Sequence, residues 1–262
     1  MQASNPVRGG LMLDEAKPKI VSQWGAIDPN EGVSVVISLY NYARFIEECL
    51  ESVAAQDFEQ IQLIVVDDVS NRDNSLEVAD TWMKRNMARF PSGILLQHID
   101  NKGLAEARNT AFAAASCELV FVMDADNTIL PSCLRKLRRA ILSSNAAAAF
   151  SQLVIFGSTN TIGFADYWSE RFLSEGPYID AMALIRKKTW HQVGGYSHIP
   201  GGWEDYDFWC KLVEVKADVA YVPELLGKYR QHPESMLQTE SARNYQKLHN
   251  LMSLRHPWTQ LE

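Results

Sequence analysis

Three acidic clusters in this 262-residue chain stand where carboxylates could do chemistry. Asp67-Asp68 follows the apolar run Ile61–Val66, and Asp124-Ala125-Asp126 follows Leu119–Met123. Two carboxylates two residues apart can share a hard divalent cation that keeps open positions for substrate phosphates. The third cluster is Gly201-Gly202-Trp203-Glu204-Asp205-Tyr206-Asp207. Its glycines permit a close backbone approach, and Trp203 offers a flat face of the kind sugars stack on. Glu204 or Asp205 could take a proton from a hydroxyl nucleophile. The plainer alternative is capping: strand-end aspartates close turns, and acids at a helix start complement its dipole. One cluster alone favours capping, whereas two acidic strand ends on one rim shift the balance toward a shared site. Arg108, in Gly103-Leu-Ala-Glu-Ala-Arg-Asn, is an anion contact or a surface arginine. His232, in Tyr229-Arg-Gln-His-Pro, is a ligand or a structural histidine.

These groups need a scaffold, and the hydrophobic pattern supplies one. Val33–Leu39 is an apolar, β-branched run of strand length. Tyr42–Gln56 then places Phe45/Ile46, Cys49/Leu50 and Val53/Ala54 on one stripe, which predicts a helix. Strands at Ile61–Val66, Ile94–His98 and Leu119–Met123 alternate with helices at Ser75–Phe90 and Leu104–Ala115. Pro131 opens a further helix to Ser144. Such alternation calls for a mostly parallel sheet covered by helices on both faces, with ligands outside the carboxyl ends of its strands. Beyond residue 145 the order loosens. Ala147–Phe156 and Ile179–Ile185 read as strands, with a loop-rich stretch at Gly157–Gly176 between them. Helices follow at Lys187–Val193 and Glu204–Val215, then short strands at Val219–Val222 and Leu226–Arg230, and a closing helix at Ser241–Ser253. Residues 1–32, with Pro6, Gly9, Gly10, Pro18 and Pro29, read as a loosely ordered lead-in with a short helix around Leu13–Trp24.

Composition narrows the classes. Lys and Arg number 25 against 32 Asp and Glu, a net charge of -7 that speaks against nucleic acid as a partner. Hydrophobic residues at 47% and charged residues at 22% are ordinary for a globular chain and exclude wholesale disorder. No apolar run approaches the ~20 residues a membrane span needs. The first residues carry no secretory pattern, so a cytoplasmic location is expected, including the inner face of a membrane. The four cysteines, Cys49, Cys117, Cys133 and Cys210, form no CxxC pair and read as buried thiols of a reducing compartment. Leu261-Glu262 reads as the join to an appended tag, which implies one domain of a longer protein.

Several ordered segments together resemble the family 2 glycosyltransferases of the GT-A fold. They are Val33-Ser-Val-Val-Ile-Ser-Leu-Tyr-Asn-Tyr, Phe45-Ile-Glu-Glu-Cys-Leu-Glu-Ser-Val-Ala-Ala-Gln, Val65-Val-Asp-Asp-Val-Ser, Asn101-Lys-Gly-Leu-Ala-Glu-Ala-Arg-Asn and Phe121-Val-Met-Asp-Ala-Asp-Asn. Gly194-Gly-Tyr, Trp203-Glu-Asp-Tyr-Asp-Phe-Trp and Tyr229-Arg-Gln-His complete the set, which spans about Val33 to Met236. The resemblance implies an α/β, Rossmann-like, mostly parallel sheet with helices on both faces. It implies a nucleotide-binding half at 33–144 and an acceptor and catalytic half at 145–240 of one domain. Residues 241–262 would form a C-terminal helix and tail. It further implies that Ser38, Tyr40 and Asp68 hold the nucleotide base, that Arg108 contacts the nucleotide and that Asp124 lies near the ribose. Asp126 and His232 would hold Mn²⁺ or Mg²⁺ against the donor diphosphate, and Asp205 would be the catalytic base. Trp203 and Glu204 would face the acceptor. Where the family commonly has Gly after the paired acids, this chain has Val69, and Lys211 stands where Arg is usual.

The expected activity is inverting transfer of a sugar from a nucleotide-diphosphate donor, UDP-linked by family frequency, to a glycan, lipid-linked or protein acceptor in polysaccharide or glycoconjugate synthesis. The rival enzyme is a sugar-phosphate nucleotidyltransferase, which needs a Gly-rich, basic loop where this chain has Ser38-Leu-Tyr-Asn-Tyr. A module that binds nucleotide or glycan without turnover is the non-catalytic alternative.

Overall fold

The computed structural model describes residues 17–233 and 242–261. Among the described residues, ten strands form one sheet. Its parallel heart is β2 (Val33–Leu39), β3 (Ile61–Asp67), β4 (Ser92–Gln97) and β5 (Leu119–Asp124). Alternation in these strands feeds two cores. Val33, Val35, Ile37 and Leu39 point to one face with Ile61, Leu63 and Val65, and Val36, Ile64 and Val66 point to the other. The first face is covered by α1 (Ala43–Ala54), α2 (Ser75–Arg85) and α4 (Cys133–Ser144), and the second by α3 (Leu104–Ala114) and α7 (Glu204–Glu214). All four cysteines are buried free thiols.

The remaining strands extend the sheet past β5. β9 (Ala183–Arg186) runs antiparallel between β5 and β7 (Ala148–Gly157), and β7 pairs in parallel with β10 (Val219–Gln231). A two-residue strand β6 (Thr128–Ile129) borders β10, and β8 (Thr161–Ile162) folds back on β7. The two strands expected after residue 218 are one strand with irregular register between Val222 and Gly227. Pro223, which has no N–H to give to a ladder, stands at that break. Short helices α5 (Glu170–Glu175) and α6 (Lys187–Gln192) flank β9, and α8 (Ala242–Arg255) follows the sheet.

The helix expected around Leu13–Trp24 is not what forms. Leu13–Ala16 lie outside the described residues, and Lys19–Gly25 is an edge strand, β1, antiparallel to β4. Long-range pairing overrides the weak local pattern. The Trp24 indole N–H donates to the Phe90 carbonyl at 3.1 Å, and its ring occupies the space over Gly93, where a Cβ would come within 2.2 Å. Other expected elements shift by a few residues: Ser75–Phe90 ends as a helix at Arg85, and the strand expected at Ile179–Ile185 begins at Ala183. The closing helix runs to Arg255; Ser241, where it was expected to open, lies outside the described residues.

From β2 the chain winds through β3 to β4 on one side, then returns through α3 to β5 on the other side of β2. The point where the order reverses, between the carboxyl ends of β2 and β5, is where an open α/β sheet leaves a crevice. Ser38 and Asp124 are register partners across that gap.

Candidate functional site

The crevice is a cavity of about 710 Å³, lined among others by Ser38, Tyr40, Asp68, Asp124, Asp126 and Glu204. Six residues singled out from the sequence therefore share one mouth. Four stand behind its lining or beside it. Arg108 is 3% exposed, His232 7% and Trp203 8%, and Asp205 is half-buried next to Glu204.

Each is positioned by an identifiable local reason. Asp68 directly follows β3, and its two carboxylate oxygens accept the N–H groups of Lys102 at 2.8 Å and Gly103 at 2.7 Å. It therefore ties down the backbone that leads into α3 while still lining the cavity. The His98 ring stands 2.6 Å from the same carboxylate. Asp67 instead closes the 67–70 turn, accepting the Ser70 N–H and the Gln97 amide. That turn holds Val69 at φ +62°, which explains the glycine usual there: a β-branched residue in the left-handed region is strained.

Arg108 is turned inward from α3. Its Nη2 donates to Asp124 Oδ1 at 2.8 Å. Burial opposes the guanidinium charge, but Asp124 and, more weakly, Tyr196, Asp205 and Glu204 outweigh it, and its pKa is raised. Its buried Nε has no partner among the described residues. Arg108 is thus the internal cation of an acidic cluster.

Asp126 and His232 meet at the end of β10, with Nε2 and Oδ2 3.1 Å apart. Burial and the Asp124 charge raise the Asp126 carboxyl to about 6, against the lowering effect of His232. Among the described residues, no partner reaches the buried His232 Nδ1. Arg230 braces this turn by donating to the Asp126 carbonyl at 2.8 Å, and the Arg230 N–H donates to Asn127 Oδ1 at 2.8 Å. A carboxylate oxygen of cavity-lining Asp126 and an imidazole nitrogen 3.1 Å from it are donors of the kind Mn²⁺ or Mg²⁺ takes, its remaining positions left to substrate oxygens and water. No cluster of three or more metal-ligating side chains occurs among the described residues.

Glu204 and Asp205 open α7. Burial raises Glu204 to about 7, with Arg108 opposing and Asp205 and Asp124 adding. Burial likewise raises Asp205, against Arg108 and a 2.8 Å hydrogen bond from the Tyr206 N–H. Trp203, whose face was expected to stack on sugar, packs instead against Tyr206, Tyr245 and His249, because φ +71° turns it under α8. The direction of α7 is set two residues on. Asp207, fully buried, meets Arg255 Nε at 2.7 Å, Lys211 Nζ at 2.8 Å and His256 Nε2 at 3.1 Å. Arg255 and Lys211 also donate to Ser197 Oγ, the neighbour of cavity-lining His198.

Two residues escaped the sequence reading. Asp180 is raised to about 7 by burial, by Asp124 and by Asp205, with Arg108 opposing. The Tyr229 phenol is raised by burial and by the charges of Asp180, Asp126, Asp124 and Asp205 together. A lone aspartate in a loop carries no spacing signal, and Tyr229 looks like any strand tyrosine until β10 sets it among these four acids.

The profile of Glycosyl transferase family 2 matches residues 34–199. The glycosyltransferase GlyG of Streptococcus pneumoniae is 22% identical over 234 residues, 80% of this chain and 74% of its own. The chain spans 39% and 40% of two further curated glycosyltransferases, from Nostoc and Bacillus subtilis. Among solved structures, Staphylococcus aureus TarS 1–349 in complex with UDP-GlcNAc superposes with a TM-score of 0.71 at 18% identity, covering 88% of this chain and 68% of that one. The mannosyltransferase PcManGT from Pyrobaculum calidifontis, in complex with GDP-Man and Mn²⁺, gives a TM-score of 0.64 at 19% identity over 87% and 64% of the two chains. The fold is that of the GT-A glycosyltransferases.

Proposed function

The chain belongs to glycosyl transferase family 2, and from that premise we propose that it moves a sugar, with inversion, from a UDP-linked donor to an acceptor hydroxyl in polysaccharide or glycoconjugate assembly. The observation that carries this reading is the single crevice at the sheet's switch point, where Asp68, Asp124, Asp126 and Glu204 face one cavity beside Asp205. UDP-GlcNAc in TarS and the synthesis of amylovoran named for a relative from Erwinia amylovora support the donor and product classes.

In this reading Tyr40, 37% exposed on the cavity wall, stacks on the base, and Ser38 and Asp68 hold its edge. Arg108 keeps Asp124 aimed at the ribose by their hydrogen bond. Asp126 and His232 would hold a divalent cation, which when bound neutralises charge on the leaving diphosphate. Asp205 accepts the proton of the acceptor hydroxyl as it attacks the anomeric carbon from the face opposite the leaving group. Its raised pKa makes it a better base than an ordinary aspartate. Glu204 faces the sugar from the cavity wall. The acceptor enters along 157–178 and past the Trp203 turn.

One observation weighs against the nucleotidyltransferase alternative. The N–H groups of Asn41, Tyr42 and Ala43, which a triphosphate would need, already donate to Ser70, Ser75 and Asp73 at 2.9, 2.7 and 2.9 Å. The testing experiment is a thermal-shift screen of nucleoside diphosphates and nucleotide sugars with and without Mn²⁺, followed by a transfer assay on the stabilising donor. A ligand at ~100-fold its Kd adds roughly 2.7 kcal/mol. Nucleotide binding with neither transfer nor donor hydrolysis would make the chain a binding module. Release of pyrophosphate from a nucleoside triphosphate would make it a nucleotidyltransferase. Among the described residues no helix is long and apolar enough to cross a membrane.

A further inference from the structure

Resting on the transfer reading above, we propose that His98 is a positioning residue of the donor site: clamped between Asp68 and Thr110, it takes up one acceptor position of the Asp68 carboxylate and so fits the site to a nucleobase that offers a single N–H. Backbone pairing places it. The His98 N–H donates to the Asp67 carbonyl at 2.9 Å, which carries the pairing of β3 and β4 one residue past the end of β4. The side chain is 4% exposed. Its Nδ1 lies 2.6 Å from Asp68 Oδ1, and its Nε2 lies 2.9 Å from the Thr110 hydroxyl on α3.

The partners fix the tautomer. A carboxylate only accepts, so Nδ1 carries the hydrogen; in the neutral ring Nε2 is then bare and accepts the Thr110 O–H. A residue that merely filled the space between β4 and α3 would be apolar, with no buried nitrogens to satisfy. Asp68 is immobilised around this contact. Its N–H donates to the Leu39 carbonyl at 2.9 Å, and its carbonyl accepts the Asn101 amide at 2.7 Å. Oδ1 accepts from Lys102 and His98, and Oδ2 accepts from Gly103. A carboxylate has about four acceptor positions. Among the described residues the one left over is on Oδ2, and it falls to a ligand in the cavity that Asp68 lines.

That single position selects the base. Uracil presents one ring N–H between two carbonyls, which one open acceptor satisfies. Guanine presents a ring N–H and an amine side by side; a carboxylate takes such a pair on both oxygens, and Oδ1 is already filled by Lys102 and His98. Cytosine sets a bare ring nitrogen where uracil has its N–H, and that lone pair repels the carboxylate. Tyr40 on the same cavity wall offers a face on which any of the three bases stacks. Discrimination therefore falls to Asp68 as His98 holds it.

The test is isothermal titration, in Mn²⁺, of UDP, GDP and CDP into the wild type, His98→Ala, His98→Asn and His98→Gln. The wild type is expected to bind UDP roughly tenfold or more tightly than GDP or CDP. His98→Ala frees Oδ1 and lets the carboxylate turn, so the preference for UDP over GDP is expected to fall by about tenfold. Asparagine puts an N–H near the place of Nδ1 and is expected to keep the preference, whereas glutamine puts one near the place of Nε2 and is expected to lose it. That pair reads the same difference where His98→Ala fails to fold. In transfer assays the loss is expected in KM for the UDP-sugar, with kcat at saturating donor unchanged. Variants that lose UDP and GDP affinity in equal proportion would make His98 structural and overturn the assignment. Equal preferences in the asparagine and glutamine variants, or a wild type that prefers GDP, would overturn it too. Wild-type protein that prefers UDP but transfers no sugar would end the transferase reading and leave His98 in this role, whereas binding of none of the three nucleotides would end both.

Discussion

Replacing Asp207 with asparagine tests how α7, the helix that presents Glu204 and Asp205, is held in place. The carboxylate is fully buried and three cationic side chains converge on it: Arg255, Lys211 and His256. Removing one member of a buried charge cluster typically costs 3–5 kcal/mol, because the remaining charges are stranded. Here water shares the load, since the Lys211 side chain is 14% exposed and that of Arg255 35%, while His256 at 3% has no such relief. We therefore expect a loss of about 2–3 kcal/mol, which for a chain of this size lowers Tm by roughly 5–10 °C. The pH dependence has a definite sign. Burial works against ionised Asp207, but hydrogen bonds from His256, Lys211 and Arg255 prevail and hold the carboxyl well below its ordinary range. Its contribution is therefore present above pH ~4 and lost as pH falls through the lowered native value. Burial works against charged His256, but Asp207 and Glu214 prevail and raise it. That contribution is present below pH ~6.5 and lost as pH rises through the raised native value. The gap between wild type and Asp207→Asn is thus widest from about pH 4 to 6.5 and narrows above it. Differential scanning calorimetry across pH 5–9 reads both quantities. A Tm within 1 °C of wild type, or a gap that fails to shrink toward pH 9, would refute the argument.

Asp205→Asn is expected to lower sugar transfer by ~10²–10⁴-fold while nucleotide affinity stays near wild type, and near-normal turnover would remove Asp205 from the base role. In the wild type, transfer is expected to rise with pH through an apparent pKa above that of an ordinary aspartate, because burial raises Asp205; a rate flat down to pH 4 would contradict this. Asp126→Ala is expected to abolish the effect of Mn²⁺ on nucleotide affinity in calorimetry, and unchanged metal dependence would count against Asp126 and His232 as the cation's holders. Val69→Gly relieves a β-branched residue at φ +62° and is expected to stabilise by about 1 kcal/mol, less the entropy glycine loses on folding; a lower Tm would show that the valine side chain earns more by packing than the backbone loses by strain.

The parallel heart of the sheet was legible in the sequence because its information is local. Val33–Leu39, Ile61–Asp67 and Leu119–Asp124 are continuous apolar runs whose composition alone demands burial on both faces, and acids directly after them must emerge at the carboxyl rim. Hence Asp68, Asp124 and Asp126 could be assigned to one mouth before any coordinates. Long-range pairing decided the rest. Lys19–Gly25 carries too little periodicity to declare itself, and it is a strand only because β4 offers a free edge and Gly93 leaves room for Trp24. Trp203 reads as an exposed sugar platform until α8 closes over it. Arg108 reads as a surface residue until the turn of α3 drives it inward against Asp124. Asp180 and Tyr229 feel the charges of Asp124 and Asp205 only because the loop before β9 and the strand β10 are folded against the end of β5. Hydrophobic pattern is written in neighbours along the chain, whereas the electrostatic company a side chain keeps is set by strands dozens of residues apart, and only the folded sheet brings those together.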